Sequence, residues 1–230
     1  MGMPITIEVL HCSDNDILES CFRILKNIDK RFSPYKPKSE LSQMVEGVLK
    51  NAVSPQMQEV IKACAWFEAQ TDGYFSANYN GQFDPSGYVK GWAIQCVADY
   101  LKSANIGTFL INAGGDILCS SDTSHVWGIG LQHPKVKHSV MGTISAKNTA
   151  VATSGTYERG NHIYNPLTGV AANDLLAVTV IGPDIILADV YATAVFAMGA
   201  TQGLGFIAKQ HGYKAIIVDS DLNVLRAEPN

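Results

Sequence analysis

The chain has 230 residues, of which 47% are hydrophobic and 17% are charged, enough for one domain over residues 1–230 with a sizeable core. With a net charge of −4, the chain lacks the excess of basic residues that proteins use to bind the phosphate backbone of nucleic acids. We therefore expect no nucleic-acid partner. Five scattered cysteines without a C-x-x-C pair argue against a disulfide framework or a zinc site.

The N-terminal segment alternates between apolar and polar residues over 4–10, which predicts a half-buried strand. No charged and apolar leader with a cleavage site precedes this segment, so we expect a cytoplasmic protein. The most apolar region, 175–200, is interrupted by Gly182-Pro183-Asp184 and contains Asp189. These interruptions argue against a membrane span, and we expect no membrane partner.

Helices dominate the next part of the chain. Apolar residues at helical spacing predict a helix over 14–31, and a turn-rich loop over 31–41 leads into a short second helix. Ser54-Pro55 predicts the start of a third helix, because serine caps helices and proline suits the first helical position. A fourth helix is expected to begin after 84–87 and to bury one apolar face, made of Val89, Trp92, Ala93, Cys96, Val97 and Leu101.

The second half of the chain is typical of a β-rich region. Strands are predicted over 108–112, 116–119, 126–131, 140–145, 149–153 and 175–181. Two helices, over 184–198 and 201–211, and a closing hairpin of 215–218 with 222–226 are expected to follow. Because strands do not alternate regularly with helices, we predict an α+β fold with mixed or antiparallel sheets rather than a doubly wound parallel sheet.

Three common nucleotide or hydrolase signatures are missing from the sequence. It contains no G-x-x-x-x-G-K-[ST] phosphate loop, no G-x-G-x-x-G and no G-x-S-x-G elbow. Any nucleotide chemistry must therefore use other residues.

Asp189 is the most unusual residue, because it lies in a predicted helix that is apolar nearly all round. A buried carboxylate is costly unless it is paired or bound to a metal. Thr193 lies one turn further on the same face, and a carboxylate with a hydroxyl, backbone carbonyls and waters suits a hard cation such as Mg²⁺. The alternative is a structural role, in which Asp189 caps a strand or pairs with a lysine.

Histidines offer weaker signals. His162 stands where a short strand enters a turn fixed by Pro166 and Gly169, a place where it could act as a base or remain a structural residue. His133 and His138 are typical of an exposed hairpin, with a phosphate-binding role as the alternative.

Two glycine-containing segments could approach a ligand. Ser86 and Gly87 at a helix start offer free N–H groups to an anion, and Lys90 adds a positive charge one turn later, although an ordinary capped helix has the same pattern. The second segment, 112–117, contains the pair Gly114-Gly115. This pair either permits a close ligand or supplies positive φ angles in a turn.

The order of these motifs resembles the ApbE-type FAD:protein FMN transferases over about residues 1–200. The resembling segments are Met1-Gly2, 32–35 with 39–42, 71–75, 84–93, 112–117, 154–159, 162–169 and 188–194. Asn165 and Thr156 differ from the acidic residues usual in that family.

The resemblance implies an ApbE-like fold with FAD in a cleft and Mg²⁺ at the pyrophosphate. It implies that Asp189 and Thr193 are metal ligands, aided by backbone oxygens of Gly87 and Ala192. The residues that it implies as FAD contacts are Met1, Tyr35, Tyr74, Phe75, Ser76, Asp84, Lys90 and His162.

The reaction that this resemblance implies is transfer of FMN from FAD to a Thr or Ser hydroxyl of an acceptor protein with an FMN-binding-type domain. AMP leaves, and His162 is the candidate base or phosphate donor. Two alternatives stay open: an FAD pyrophosphatase that forms FMN and AMP, and a non-catalytic flavin-binding protein.

Overall fold

The computed structural model describes residues 2–12, 14–49, 53–79, 81–136, 138–156 and 163–228. In chain order the elements are β1 (Ile5–Val9), α1 (Asn15–Phe32), α2 (Glu40–Val45), α3 (Pro55–Gln70), β2 (Asn78–Tyr79), β3 (Gln82–Phe83), α4 (Ser86–Ser103), β4 (Phe109–Ala113), β5 (Asp116–Ser120), β6 (Trp127–Gln132), β7 (Val140–Ala146), β8 (Thr149–Gly155), β9 (Leu175–Gly182), α5 (Ile185–Met198), α6 (Ala200–Ile207), β10 (Lys214–Asp219) and β11 (Val224–Ala227).

A seven-stranded sheet in the order β1-β4-β5-β8-β9-β10-β11 forms the centre of the fold. Every strand pairing in the described residues is antiparallel. The predicted α+β class is therefore confirmed, and the doubly wound parallel sheet is excluded.

The helix starts follow the capping residues that the sequence offers. Asp14 accepts a hydrogen bond from the Asp16 N–H at the start of α1, and Ser54 accepts one from Met57 at the start of α3. Asp184 likewise accepts from Leu187 at 2.9 Å and begins α5. These side chains satisfy N–H groups that have no partner inside the helix.

Some predicted elements differ from the structure. The last helix ends at Ile207 rather than at residue 211, because the chain turns over 208–212 and Gly212 takes a positive φ before β10. The two-residue strands β2 and β3 were not predicted, since so short a pair has no readable period. In the described residues no helix is both long and apolar enough to cross a membrane.

The two faces of the sheet carry different cores. Phe109 and Ile111 of β4 join the large core shared with the helices, whereas Leu110 between them joins a smaller cluster. The β6–β7 hairpin covers that second face and contributes Trp127 and Ile129 to the smaller cluster. Side chains alternate between faces with the two-residue period of a strand.

Helix α5 lies in the middle of the large core, where it packs against α4, α6 and strands β8 and β9. This position explains why its sequence is apolar nearly all round. On α4 the expected inward face was partly wrong, because Trp92 and Cys96 are only half-buried while Gly91 and Ile94 are buried. The side of α4 that contacts α5 therefore lies in the core.

Candidate functional site: a buried ionic cluster between two helices and the sheet

Helices α4 and α5 approach most closely at Gly91. A Cβ at this position would lie 3.1 Å from the carbonyl oxygen of Ile185, 3.1 Å from the Cα of Ile186 and 3.3 Å from the Cβ of Asp189. Contacts of this length are tighter than side chains normally make, so glycine permits the crossing. The close approach brings the backbone of α4 to the side chain of Asp189.

Asp189 is buried, with 2% of its surface exposed, and both of its oxygens have partners. The Gly91 N–H donates to Oδ2 at 3.1 Å, and the Lys90 ammonium lies 3.3 Å from Oδ1. The sequence left open whether Asp189 binds a cation or has a structural role such as pairing with a lysine. The structure shows the lysine pair. Binding of a cation by Asp189 remains a prediction.

A second carboxylate, Asp116, belongs to the same cluster. Gly114 and Gly115 have φ angles of +60° and +94°, which gives the two-residue turn that joins β4 to β5 and places Asp116 first in β5. Asp116 is fully buried, accepts a hydrogen bond from the Thr153 N–H at 3.0 Å and lies 2.6 Å from the Lys90 ammonium. The interpretation of the glycine pair as a source of positive φ is thus confirmed.

The charges of the cluster do not cancel, because one ammonium faces two carboxylates. Burial disfavours the charged form of Lys90, but Asp116 and Asp189 together hold its pKa above the ordinary value. Burial raises the pKa of Asp189, and the attraction of Lys90 only partly offsets this. Lys90 therefore stays charged, whereas Asp189 holds a proton more readily than an ordinary carboxyl group does.

Thr193 lies one turn beyond Asp189 on α5, and its hydroxyl is 3.2 Å from the hydroxyl of Ser154 on β8. The side chain of Thr193 is half-buried, and Ala192 beside it is fully buried. The prediction that Asp189 and Thr193 share a helix is confirmed, while their role as ligands remains a prediction.

The predicted flavin-contact segment 74–76 has side chains in three different environments. Tyr74 is half-buried and donates from its hydroxyl to Gln202 Oε1 at 2.8 Å. Phe75 is 2% exposed, so its ring belongs to the core, while Ser76 donates to Glu68 Oε1 at 3.1 Å. Any contact of Phe75 with a ligand would have to involve its backbone.

The start of α4 contains two more predicted residues. Asp84 is exposed, and its Oδ1 accepts a hydrogen bond from the Ser86 N–H at 2.9 Å. Gly87 lies against the ring of Phe75, since a Cβ there would be 3.2 Å from Cε2. Tyr35 is 82% exposed in the loop between α1 and α2.

Met1 and His162 lie outside the described residues, so their predicted roles stay predictions. The turn that follows His162 is described, and Asn165 fixes it by donating from Nδ2 to the Ala197 carbonyl at 3.3 Å and by accepting from the Leu167 N–H at 3.0 Å. An aspartate at this position could not donate the first bond. Asn165 therefore ties the turn to the C-terminal end of α5.

Two surface cavities formed by described residues are not lined by the ionic cluster. One, of about 480 Å³, lies between residues 2–5 and α1, and the other, of about 360 Å³, lies between 165–174 and the end of α5. Among the described residues no three His, Cys, Asp or Glu side chains form a metal-binding group. The candidate site is therefore defined by the ionic cluster and its neighbouring hydroxyls.

Comparison with known proteins decides the family. A profile described as the ApbE family matches residues 1–81 and 76–217. The chain belongs to the ApbE family. Its fold agrees, since the structure of the flavin transferase ApbE from Vibrio cholerae superposes with a TM-score of 0.84 over 100% of this chain and 94% of that one, at 22% identity.

A second ApbE structure, from Thermotoga maritima, gives a TM-score of 0.84 at 23% identity, covering 98% of this chain and 93% of that one. At such identities the likeness establishes the fold alone.

Two curated relatives of this ApbE-family chain are named FAD:protein FMN transferase. The one from Klebsiella pneumoniae (strain 342) is 30% identical over 158 residues, which are 64% of this chain and 49% of the relative. The one from Vibrio cholerae serotype O1 is 33% identical over 150 residues, which are 60% of this chain and 45% of the relative. The matched part thus spans about half of each relative.

Asp116 is the site residue that the sequence analysis did not assign. Its segment, 112–117, drew attention only through the glycine pair. A usable signal was present, because an acidic residue begins a strand whose other positions are mainly apolar, and the turn fixes the direction of its side chain. Lys90 was assigned to the phosphates, and its pairing with two carboxylates was not foreseen.

Proposed function

We propose that this protein is an Mg²⁺-dependent FAD:protein FMN transferase. It would move FMN from FAD to a Thr or Ser hydroxyl of an acceptor protein that carries an FMN-binding-type domain, with release of AMP. The observation that carries this proposal is the buried cluster of Lys90, Asp116 and Asp189, which places one ammonium between two carboxylates. The names of the ApbE-family relatives supply the reaction.

The oxygen-rich surroundings of Asp189 fit a hard cation. Carboxylate, hydroxyl and backbone carbonyl oxygens are the ligands that Mg²⁺ prefers, and Asp189, Thr193 and Ala192 offer them from one stretch of α5. In a helix the Gly91 N–H would bond to the Gly87 carbonyl, but this N–H also donates to Asp189. Because this donor is shared, we propose that the Gly87 carbonyl also contacts the cation.

The side chains of the cluster have separate tasks in this proposal. Asp189 and Thr193 would hold the Mg²⁺, which when bound neutralises negative charge on the pyrophosphate. Lys90 keeps its positive charge because two carboxylates stabilise it, and its partly exposed side chain would support the phosphates of FAD. Phosphoryl transfer depends mainly on such positioning and charge stabilisation.

The transfer step forms one bond and breaks one. The acceptor hydroxyl oxygen attacks the phosphorus of the FMN half, and the bond from that phosphorus to the bridging oxygen breaks, so its electron pair leaves with AMP. The hydroxyl proton passes to a base, for which His162 remains our candidate. Tyr35, Tyr74, Phe75, Ser76 and Asp84, together with Met1, are proposed to hold the rest of FAD.

Incubation with FAD, Mg²⁺ and a recombinant FMN-binding-type domain tests the activity directly. We expect mass spectrometry to detect an FMN adduct on the acceptor threonine and chromatography to detect an equal amount of AMP. An acceptor with that threonine changed to alanine and a reaction with excess chelator serve as matched controls. Absence of adduct on several such domains would refute the transferase.

The same experiment separates the alternatives. A pyrophosphatase would release FMN and AMP at equal rates with and without acceptor, and a flavin-binding protein would retain intact FAD. We also propose a cytoplasmic location, which is supported by all five cysteines being free thiols in the structure. Cell fractionation tests that location.

A further inference from the structure

Lys90 is shared unequally between the two carboxylates. Its ammonium is 2.6 Å from Asp116 Oδ2 and 3.3 Å from Asp189 Oδ1. The Asp116 side chain is fully buried, whereas the Lys90 side chain is 22% exposed. Asp116 is therefore the inner anchor of the lysine, and Asp189 is its more distant partner.

The anchor is rigid because it belongs to the sheet. Asp116 begins β5 directly after a two-residue turn, and its second oxygen accepts a hydrogen bond from the Thr153 N–H of the neighbouring strand β8. Lys90 and Asp189 belong to the two crossing helices. The sheet thus holds the carboxylate that fixes the position of a helix side chain.

This arrangement affects the charge at Asp189. If Lys90 had Asp189 as its sole carboxylate partner, the ammonium would move onto that carboxylate and neutralise it, because opposite charges at short range in a buried site attract strongly. With Asp116 present, the ammonium lies closer to the sheet carboxylate, at 2.6 Å, than to Asp189, at 3.3 Å. Asp116 would thereby weaken the competition of this internal cation at Asp189.

We infer that Asp116 is a positioning residue that holds the Lys90 ammonium on the sheet side, so that Lys90 does not pair with Asp189 alone and a divalent cation can displace it from that carboxylate. This inference deepens the proposed function and rests on it. Asp116 acts through Lys90 and needs no contact with FAD or with the cation.

The test compares wild type with Asp116→Asn in the full chain. Calorimetric titration with FAD at increasing Mg²⁺ gives the Mg²⁺ concentration for half-maximal binding, which we expect Asp116→Asn to raise by roughly tenfold or more. Adding Lys90→Met to that variant removes the competing ammonium and should restore part of the Mg²⁺ affinity. A wild-type Mg²⁺ requirement in Asp116→Asn would overturn the inference, and so would a double variant that requires as much Mg²⁺ as Asp116→Asn does.

Asp184→Asn is the matched control for charge. It removes the same negative charge from the start of α5, and asparagine caps a helix about as well as aspartate. We expect less than a twofold change in the Mg²⁺ requirement. A change as large as that of Asp116→Asn would mean that net charge alone acts, and would contradict a positioning role.

A crystal structure of metal-free Asp116→Asn supplies a readout that does not depend on FAD. We expect the distance from Lys90 Nζ to the Asp189 carboxylate to be clearly shorter than 3.3 Å. A lysine that keeps its position would overturn the inference. Wild-type protein that fails to bind FAD would refute the proposed function instead, and the movement of Lys90 would still be measured.

Discussion

The two faces of the central sheet bury different kinds of side chains. On the helix face Asp116, Lys90 and Asp189 form an ionic cluster beside the hydroxyls of Ser154 and Thr193. On the hairpin face, neighbouring residues of the same strands enter an apolar cluster made of Leu110, Cys119, Trp127, Ile129, Ala146 and Val151. Strands β5 and β8 contribute to both.

The difference indicates which face mainly stabilises the fold and which face we propose to carry the reaction. Burial of apolar surface is favourable without further conditions, whereas a buried charge is tolerated only if partners surround it. The ionic cluster has two carboxylates for one ammonium, an imbalance that a purely structural site would avoid. Changes on the helix face should therefore mainly alter activity, and changes on the hairpin face should mainly alter stability.

The largest expected effect is that of Asp189→Asn on transfer. Asparagine keeps an acceptor for the Gly91 N–H but removes the charge, so FMN transfer should fall by about 10²–10³-fold. Stability without metal should hold or rise, because an incompletely compensated buried charge is removed. Transfer rates beside thermal melts with and without Mg²⁺ measure both effects. A variant that melts early but keeps near-normal Mg²⁺-dependent turnover would contradict the assignment of Asp189 as a metal ligand.

On the hairpin face, Ile129→Ala should have the opposite effect, which is lower stability with little change in FAD affinity. Ile129 is 2% exposed, and its truncation leaves a cavity that costs about 2–5 kcal/mol of unfolding free energy. FAD affinity should change by less than about twofold, since distant sites act independently. Denaturant titration and calorimetry measure the two quantities. A large loss of FAD affinity in protein that is still folded would contradict the separation of the faces.

Gly91→Ala should lower stability less than Ile129→Ala does, but it should affect both stability and FAD binding. The added methyl group would push α4 from α5, at a cost of about 1–3 kcal/mol, and would lengthen the bond from the Gly91 N–H to Asp189. We expect weaker FAD binding in Mg²⁺ together with a lower melting temperature.

Gly205→Ala on α6 is the control for that substitution. A Cβ there meets nothing within 4 Å, so the better helix propensity of alanine should stabilise by about 0.5–1 kcal/mol without affecting FAD binding. If Gly91→Ala behaved like this control, the close helix crossing would be irrelevant to the site.

Much of the local structure was predictable. Ser54 caps the helix that it was expected to begin, and the strand pattern located the antiparallel sheet. The partial exposure of Trp92 was not predicted, because three helices, α1, α3 and α5, contact α4, and apolar spacing does not reveal which side each one covers. Phe75 likewise fits a flavin contact by motif, yet its ring packs in the core.

The sequence by itself determined that Asp189 and Thr193 share one face of an apolar helix, because the helical period is a local property. It also determined the turn at Gly114-Gly115. Only the tertiary structure brought Gly91 to Asp189 across 98 positions of the chain and placed Asp116 against Lys90. Those contacts depend on which strands pair and how closely two helices cross, and both are decided by packing of the whole core.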